Sequence, residues 1–133
     1  MYQKIMIAVD GGEASRQALA KSADIAKMNN AAICIVHCVK GDNKIDEQTG
    51  AKILKEARSC LGDLSAQTRL LNAEAEYGSN GIAEVIAVAA EEWGADLLVA
   101  GASNRSKLER FVKGSIAEQL AARVKFSVLL VRP

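Results

Sequence analysis

Five short apolar runs punctuate the chain: Lys4–Val9, Ala32–Val39, Arg69–Tyr77, Ala95–Ala100 and Phe126–Val131. The first and last are almost continuously apolar (Ile5-Met6-Ile7-Ala8-Val9 and Val128-Leu129-Leu130-Val131), as strands covered on both faces are in parallel sheets. The third alternates more and reads as an edge strand. Between the runs, apolar residues recur at helical spacing. Leu19, Ser22, Ala23 and Ala26 form one stripe, and Leu54, Ala57, Leu61 and Leu64 a second. Ile82, Val85, Ile86 and Ala89 form a third, and Ile116, Leu120 and Val124 a fourth. The polar stretch Lys40–Gly50 reads as an exposed loop ahead of the second helix. The order β-α-β-α-β-α-β-α-β with right-handed crossovers predicts a doubly wound parallel sheet with helices on both faces. No internal repeat or composition break divides the chain, so residues 1–133 read as a single domain.

In the strand order 3-2-1-4-5, the order reverses between the first and fourth strands. Ligands of such sheets sit outside the carboxyl ends of the strands at that reversal. The residues to examine are therefore those after Val9 and those after Ala100.

Composition narrows the function. With 17 basic and 16 acidic residues the net charge is +1, and no polybasic run supplies the positive surface that nucleic-acid binding uses. No apolar run approaches the roughly 18 residues of a membrane helix, and the start of the chain lacks a signal-peptide layout. Three cysteines, Cys34, Cys38 and Cys60, form no disulfide framework and fit a reducing, cytosolic compartment. On a strand, Cys34 and Cys38 would share one face but lie roughly 13 Å apart, with His37 on the other face. They read as small buried hydrophobes rather than metal ligands. Trp93, seven residues after Ile86, reads as core.

The first loop is Asp10-Gly11-Gly12-Glu13-Ala14-Ser15. A carboxylate at a strand end can accept from ribose hydroxyls or an adenine amine, and it can equally form a turn or cap the next helix. No Walker A order follows. The second loop, Gly101 to Ser115, carries Arg105, Lys107, Arg110 and Lys113 against Glu109 and ends at Gly114-Ser115, where a helix begins. Helix-start amides, glycines, a serine and basic side chains describe a phosphate cradle. The same residues also fit a solvated loop with a serine cap. Phe111 in this loop either anchors it to the body or clamps a base.

Over nearly its whole length the sequence resembles the universal stress protein family. Ile5–Gly11 resembles that family's first strand and acidic loop, Val36-His37-Cys38-Val39 its second strand, and Gly101–Ser115 its signature G-x2-G-x9-G-S/T. The resemblance implies a five-stranded flavodoxin-like or Rossmann-like sheet of order 3-2-1-4-5. It also implies a homodimer, here through Ser127–Val131, and a bound ATP, ADP or AMP with Mg²⁺ carried by the nucleotide. By the same analogy Asp10 meets the ribose or adenine, and the main chain at Ala8, Val9 and Cys38 lines the adenine pocket. Gly101, Asn104, Arg105, Gly114, Ser115, Ile116 and Ala117 would hold ribose and phosphates. Asn104 stands where the family's second signature glycine does, Gly12 where serine is common, and Cys38 where valine is common. Asn is the non-glycine residue that best tolerates a positive-φ turn, so Asn104 is expected to keep the loop's shape.

Receiver-domain and flavodoxin readings fail on residue placement. The third strand lacks a terminal aspartate, Lys125 precedes the fifth strand, and Asp10 and Glu13 would repel a phosphate after the first. No nucleophile–base pair is apparent; the one histidine, His37, reads as a core or edge imidazole. The expected function is a cytosolic stress-response module that binds an adenine nucleotide. The alternative is a relative without nucleotide that acts through protein contacts.

Overall fold

The computed structural model describes residues 1–41, 43–73, 78–101 and 116–133. Strands β1 (Lys4–Ala8), β2 (Ala32–Lys40), β3 (Gln67–Ala73), β4 (Leu97–Gly101) and β5 (Ser127–Val131) alternate with four helices. These are α1 (Glu13–Asn29), α2 (Lys44–Ser59), α3 (Gly78–Trp93) and α4 (Ile116–Arg123). The strands form one parallel sheet in the order β3-β2-β1-β4-β5, as the alternation of runs and stripes predicts.

The period-2 alternation of side chains splits the core into two layers. Ile5, Ile7, Ile33, Ile35, Leu97 and Val99 pack beneath α1 and α2 with Ala18, Leu19, Leu54 and Ala57. Met6, Cys34, Val36, Leu98 and Ala100 pack beneath α3 and α4 with Ala83, Ile86, Ala90, Ala117 and Leu120. With both faces covered, the central strands gain from unbroken apolar sequence. Outermost β3 is covered less, and its first four residues are exposed, which accounts for its more alternating pattern.

The ends of two stripes differ from the sequence reading. Lys40–Gly50 is not a loop throughout: α2 begins at Lys44. Asn43 caps it, its side-chain oxygen accepting from the amides of Ile45 at 2.8 Å and Asp46 at 3.4 Å. The first two turns of α2 face solvent almost entirely, which makes them polar in sequence and loop-like on inspection. At the other end α2 stops at Ser59, and Gly62 takes a positive φ of 61°. Leu61 and Leu64 therefore reach the core from a turn rather than from the helix. Val124 likewise lies just past α4, still buried.

The opposite end of the sheet is held by Asp96, whose carboxylate accepts from the amides of Gln3 at 2.8 Å and Lys4 at 2.9 Å. Desolvation would raise its pKa, but these amide hydrogen bonds outweigh it and hold the carboxyl below the usual aspartate value. Trp93 packs partly buried against the α3–α4 layer. Lys4 Nζ donates to its carbonyl at 2.8 Å and lies 4.9 Å from its ring centroid.

Candidate functional site

At the carboxyl end of β1 the chain must leave the sheet and turn into α1. Val9 still donates its amide to the Val36 carbonyl at 2.9 Å. Beyond it, Gly11 adopts φ 87°, a conformation costly for residues with a Cβ. Asp10 controls the turn. Its Oδ1 accepts from the Gly12 amide at 2.8 Å and from the Ser15 hydroxyl at 2.8 Å, while the Asp10 amide donates to Ser15 Oγ at 2.8 Å. Ser15 is buried in the first turn of α1, so it carries the helix's rigidity into the carboxylate. Asp10 Oδ2 has no hydrogen-bond partner among the described residues and belongs to an exposed residue. Among the described residues, Oδ1 is thus spent on the turn and Oδ2 is not.

Next to this carboxylate lies a cleft of about 250 Å³. It is walled by Ala8, His37, Cys38, Ala100 and Gly101 from the strands, by Val9 just past β1, and by Ile82, Ile86, Ile116, Ala117 and Leu120 from α3 and α4. Seven residues singled out from the sequence meet here: Ala8, Val9, Asp10, Cys38, Gly101, Ile116 and Ala117. Asn104, Arg105, Gly114 and Ser115, with Phe111, lie outside the described residues.

The cleft is apolar on its helix side and polar at the strand ends. That arrangement can sandwich a flat heteroaromatic ring while offering main-chain groups and one carboxylate to its edge. Gly101 has a structural reason to be glycine. A Cβ there would come within 2.6 Å of the Ala14 carbonyl carbon and 2.7 Å of Ala14 Cβ, so its bare backbone lets α1 close on β4. His37 is half-buried, and its Nδ1 lies 2.7 Å from the Val9 carbonyl oxygen. The carbonyl can only accept, so Nδ1 carries the proton.

Sequence reasoning passed over Ser15 and left His37 as packing. The only signal for Ser15 was a hydroxyl five residues beyond Asp10, which has meaning once the turn's path is known. Cys34 and Cys38 face the α3–α4 layer and His37 the other, as the strand pattern predicts. Burial pushes both thiols up from their ordinary pKa, the behaviour of packing cysteines. Among the described residues no group of three or more His, Cys, Asp or Glu side chains could hold a metal ion. No described helix is long and apolar enough to cross a membrane.

The model of the universal stress protein family matches residues 1–132. A universal stress protein of Staphylococcus haemolyticus is 32% identical, over 98% of this chain and 85% of the relative. One from Staphylococcus aureus strain USA300 is 30% identical, over 98% and 84%. Among solved structures, a universal stress protein in complex with cAMP is 26% identical and superimposes with a TM-score of 0.77, covering 98% of this chain and 97% of that one. The Archaeoglobus fulgidus universal stress protein in complex with dAMP is 22% identical with a TM-score of 0.78, covering 98% of each chain, and bears on the fold.

Proposed function

This chain belongs to the universal stress protein family, and from that premise we propose that it binds an adenine nucleotide, ATP or its relatives ADP and AMP, in the cleft at the β1–β4 switch point. The observation that carries this reading is the locked Asp10 carboxylate, one oxygen committed to the turn and the other without a partner among the described residues, at an apolar slot. In this reading the base enters between the strand ends and Ile82, Ile86, Ile116 and Leu120. The main chain at Ala8, Val9 and Cys38 meets its edge, and Asp10 Oδ2 accepts from ribose hydroxyls. A cleft of about 250 Å³ takes the nucleoside part. The phosphates, with any Mg²⁺ they carry, fall to Gly101, Asn104, Arg105, Gly114 and Ser115 and to the start of α4. The complex of a related protein with cAMP supports the same ligand class.

The role is binding and regulation in the stress response, by a single cytosolic domain. His37 Nδ1 is committed to the Val9 carbonyl, and the Asp10 carboxylate beside the cleft is given the task of holding the ribose rather than of a general base. The second reading, a relative that binds no nucleotide and works through protein contacts, is favoured only by Asn104 in the signature. Calorimetry on nucleotide-free protein should show ATP, ADP or AMP binding in the micromolar range, about −8 kcal/mol. Absence of heat for all three, in a folded protein purified without bound nucleotide, would overturn the proposal in favour of the second reading.

The same reading includes a homodimer. Among the described residues β5 pairs only with β4, and it carries half-buried Val128 and Leu129 and exposed Leu130. An open apolar edge invites pairing, and a two-fold arrangement closes the assembly. Sedimentation equilibrium should report twice the chain mass. A monomer at every concentration tested would count against it.

A further inference from the structure

The β1–β2 ladder stops one rung early, and a side chain takes the place of that rung. In a parallel pair, alternate residues of one strand direct both N–H and C=O at the neighbour. Val36 does so toward β1: it pairs with Ala8, and its carbonyl accepts from Val9. Two residues on, Cys38 directs its main chain to the same side. The next bond in register would run from the Cys38 amide to the Val9 carbonyl. That bond is not made, and Val9 lies outside β1. The Val9 carbonyl accepts instead from His37 Nδ1 at 2.7 Å.

The direction of this substitute bond matters. His37 projects from the face that carries Ile33 and Ile35, beneath α2, opposite to Cys38. Committed to the ring, the Val9 carbonyl makes no bond to the Cys38 amide. The ring is held in place by α2: a Cβ on Gly50, which is buried there, would approach His37 Cδ2 to 3.0 Å. The consequence is an amide at Cys38, on the wall of the cleft, that the ladder does not consume.

We infer that His37 is a positioning residue that holds the Val9 carbonyl off the Cys38 amide and so keeps that amide open as the hydrogen-bond donor for the base. This rests on the nucleotide reading above and names the group that keeps that site from zipping shut. A ligand edge that accepts beside a donor, as in adenine, suits an N–H and C=O presented together at Cys38.

The test compares His37→Leu and His37→Asn with the native protein. Asn carries its amide nitrogen two bonds beyond Cβ, where the imidazole carries Nδ1, so it can restore the bond to Val9; Leu cannot. In His37→Leu, ATP affinity is expected to fall about ten-fold, the scale of one hydrogen bond. Hydrogen exchange at the Cys38 amide, followed by NMR without ligand, should slow as that amide closes on Val9. His37→Asn should bring both readouts back toward native values. A loss of packing alone would not be rescued by the smaller, polar Asn, and it would speed exchange. Native affinity in a folded His37→Leu protein, unchanged or faster Cys38 exchange in it, or a His37→Asn protein as impaired as His37→Leu would each overturn the inference. If the native protein binds no nucleotide, the proposed function fails, while the exchange comparison still decides the role of His37.

Discussion

Gly101→Ala is expected to destabilise the protein by about 3 kcal/mol, the upper end of the usual cost of overpacking a core. The added Cβ would sit 2.6 Å from the Ala14 carbonyl carbon, 2.7 Å from its Cβ and 2.9 Å from its carbonyl oxygen. Two of those three atoms are main chain in the first turn of α1, so no rotamer change relieves the contact. The helix start has to move off β4. Ser15 lies in that same turn and holds Asp10, so nucleotide affinity should drop along with stability. Ala14→Gly added to Gly101→Ala removes only the Cβ contact and should recover part of the loss, leaving the main-chain overlap. Urea unfolding of the two single variants and the double variant measures this. A midpoint for Gly101→Ala equal to that of the native protein would refute the close-packing argument. Gly50 makes a useful contrast. A Cβ there would meet side chains: Leu70 Cδ1 at 2.8 Å, which is 40% exposed and has room to yield, and His37 Cδ2 at 3.0 Å and Val39 Cγ1 at 3.1 Å, which are packed more tightly.

The second large effect is expected at Asp10, where three substitutions separate its two tasks. Asp10→Ala removes the acceptor for the Gly12 amide and Ser15 hydroxyl together with Oδ2, the oxygen that the proposed site gives to the ribose. Losing a charged acceptor is worth about 1.5–3 kcal/mol, so ATP affinity should fall roughly 10- to 150-fold. Asp10→Asn keeps Oδ1 and can preserve the turn, but an amide group replaces Oδ2. Its stability should stay close to native while affinity drops at least about ten-fold. Ser15→Ala leaves Oδ2 in place and loosens the carboxylate, and it strips the Asp10 amide of its acceptor. It should cost about 1–3 kcal/mol of stability with a smaller loss of affinity than Asp10→Asn. Calorimetry and chemical unfolding on the same preparations give both columns. Equal affinity for the native and Asp10→Asn proteins would remove Asp10 from the ligand site and leave it as a turn residue.

How far the molecule could be read from its sequence depends on the range of the forces involved. The strands and helices follow from side-chain periodicity, a local property. A run such as Ile5–Val9 has only one inexpensive solution, burial on both faces of a parallel sheet. The crossover handedness then restricts the topology, and the switch point follows from the order. The helix boundaries were less legible. Lys44–Gly50 carries almost no apolar signal because its turns face water, and Leu61 and Leu64 mimic helical spacing from within a turn.

The candidate site divides along the same line. Asp10, Gly101 and the residues at the start of α4 were visible because loops at strand ends carry unusual residue types in a recognisable order. Which oxygen of Asp10 is spent on the turn, why Gly101 tolerates no Cβ and why the Val9 carbonyl turns to His37 were not visible. The first depends on the path of the turn from Asp10 to Ser15, and the other two on atoms far apart in the chain: Gly101 against Ala14, His37 against Val9 and Gly50. Such contacts exist only once the layers have packed. A sequence alone determines which residues must be buried and roughly in what order they pair. The tertiary structure decides which polar groups remain unpaired at the end of that packing, and those are the groups left for a ligand.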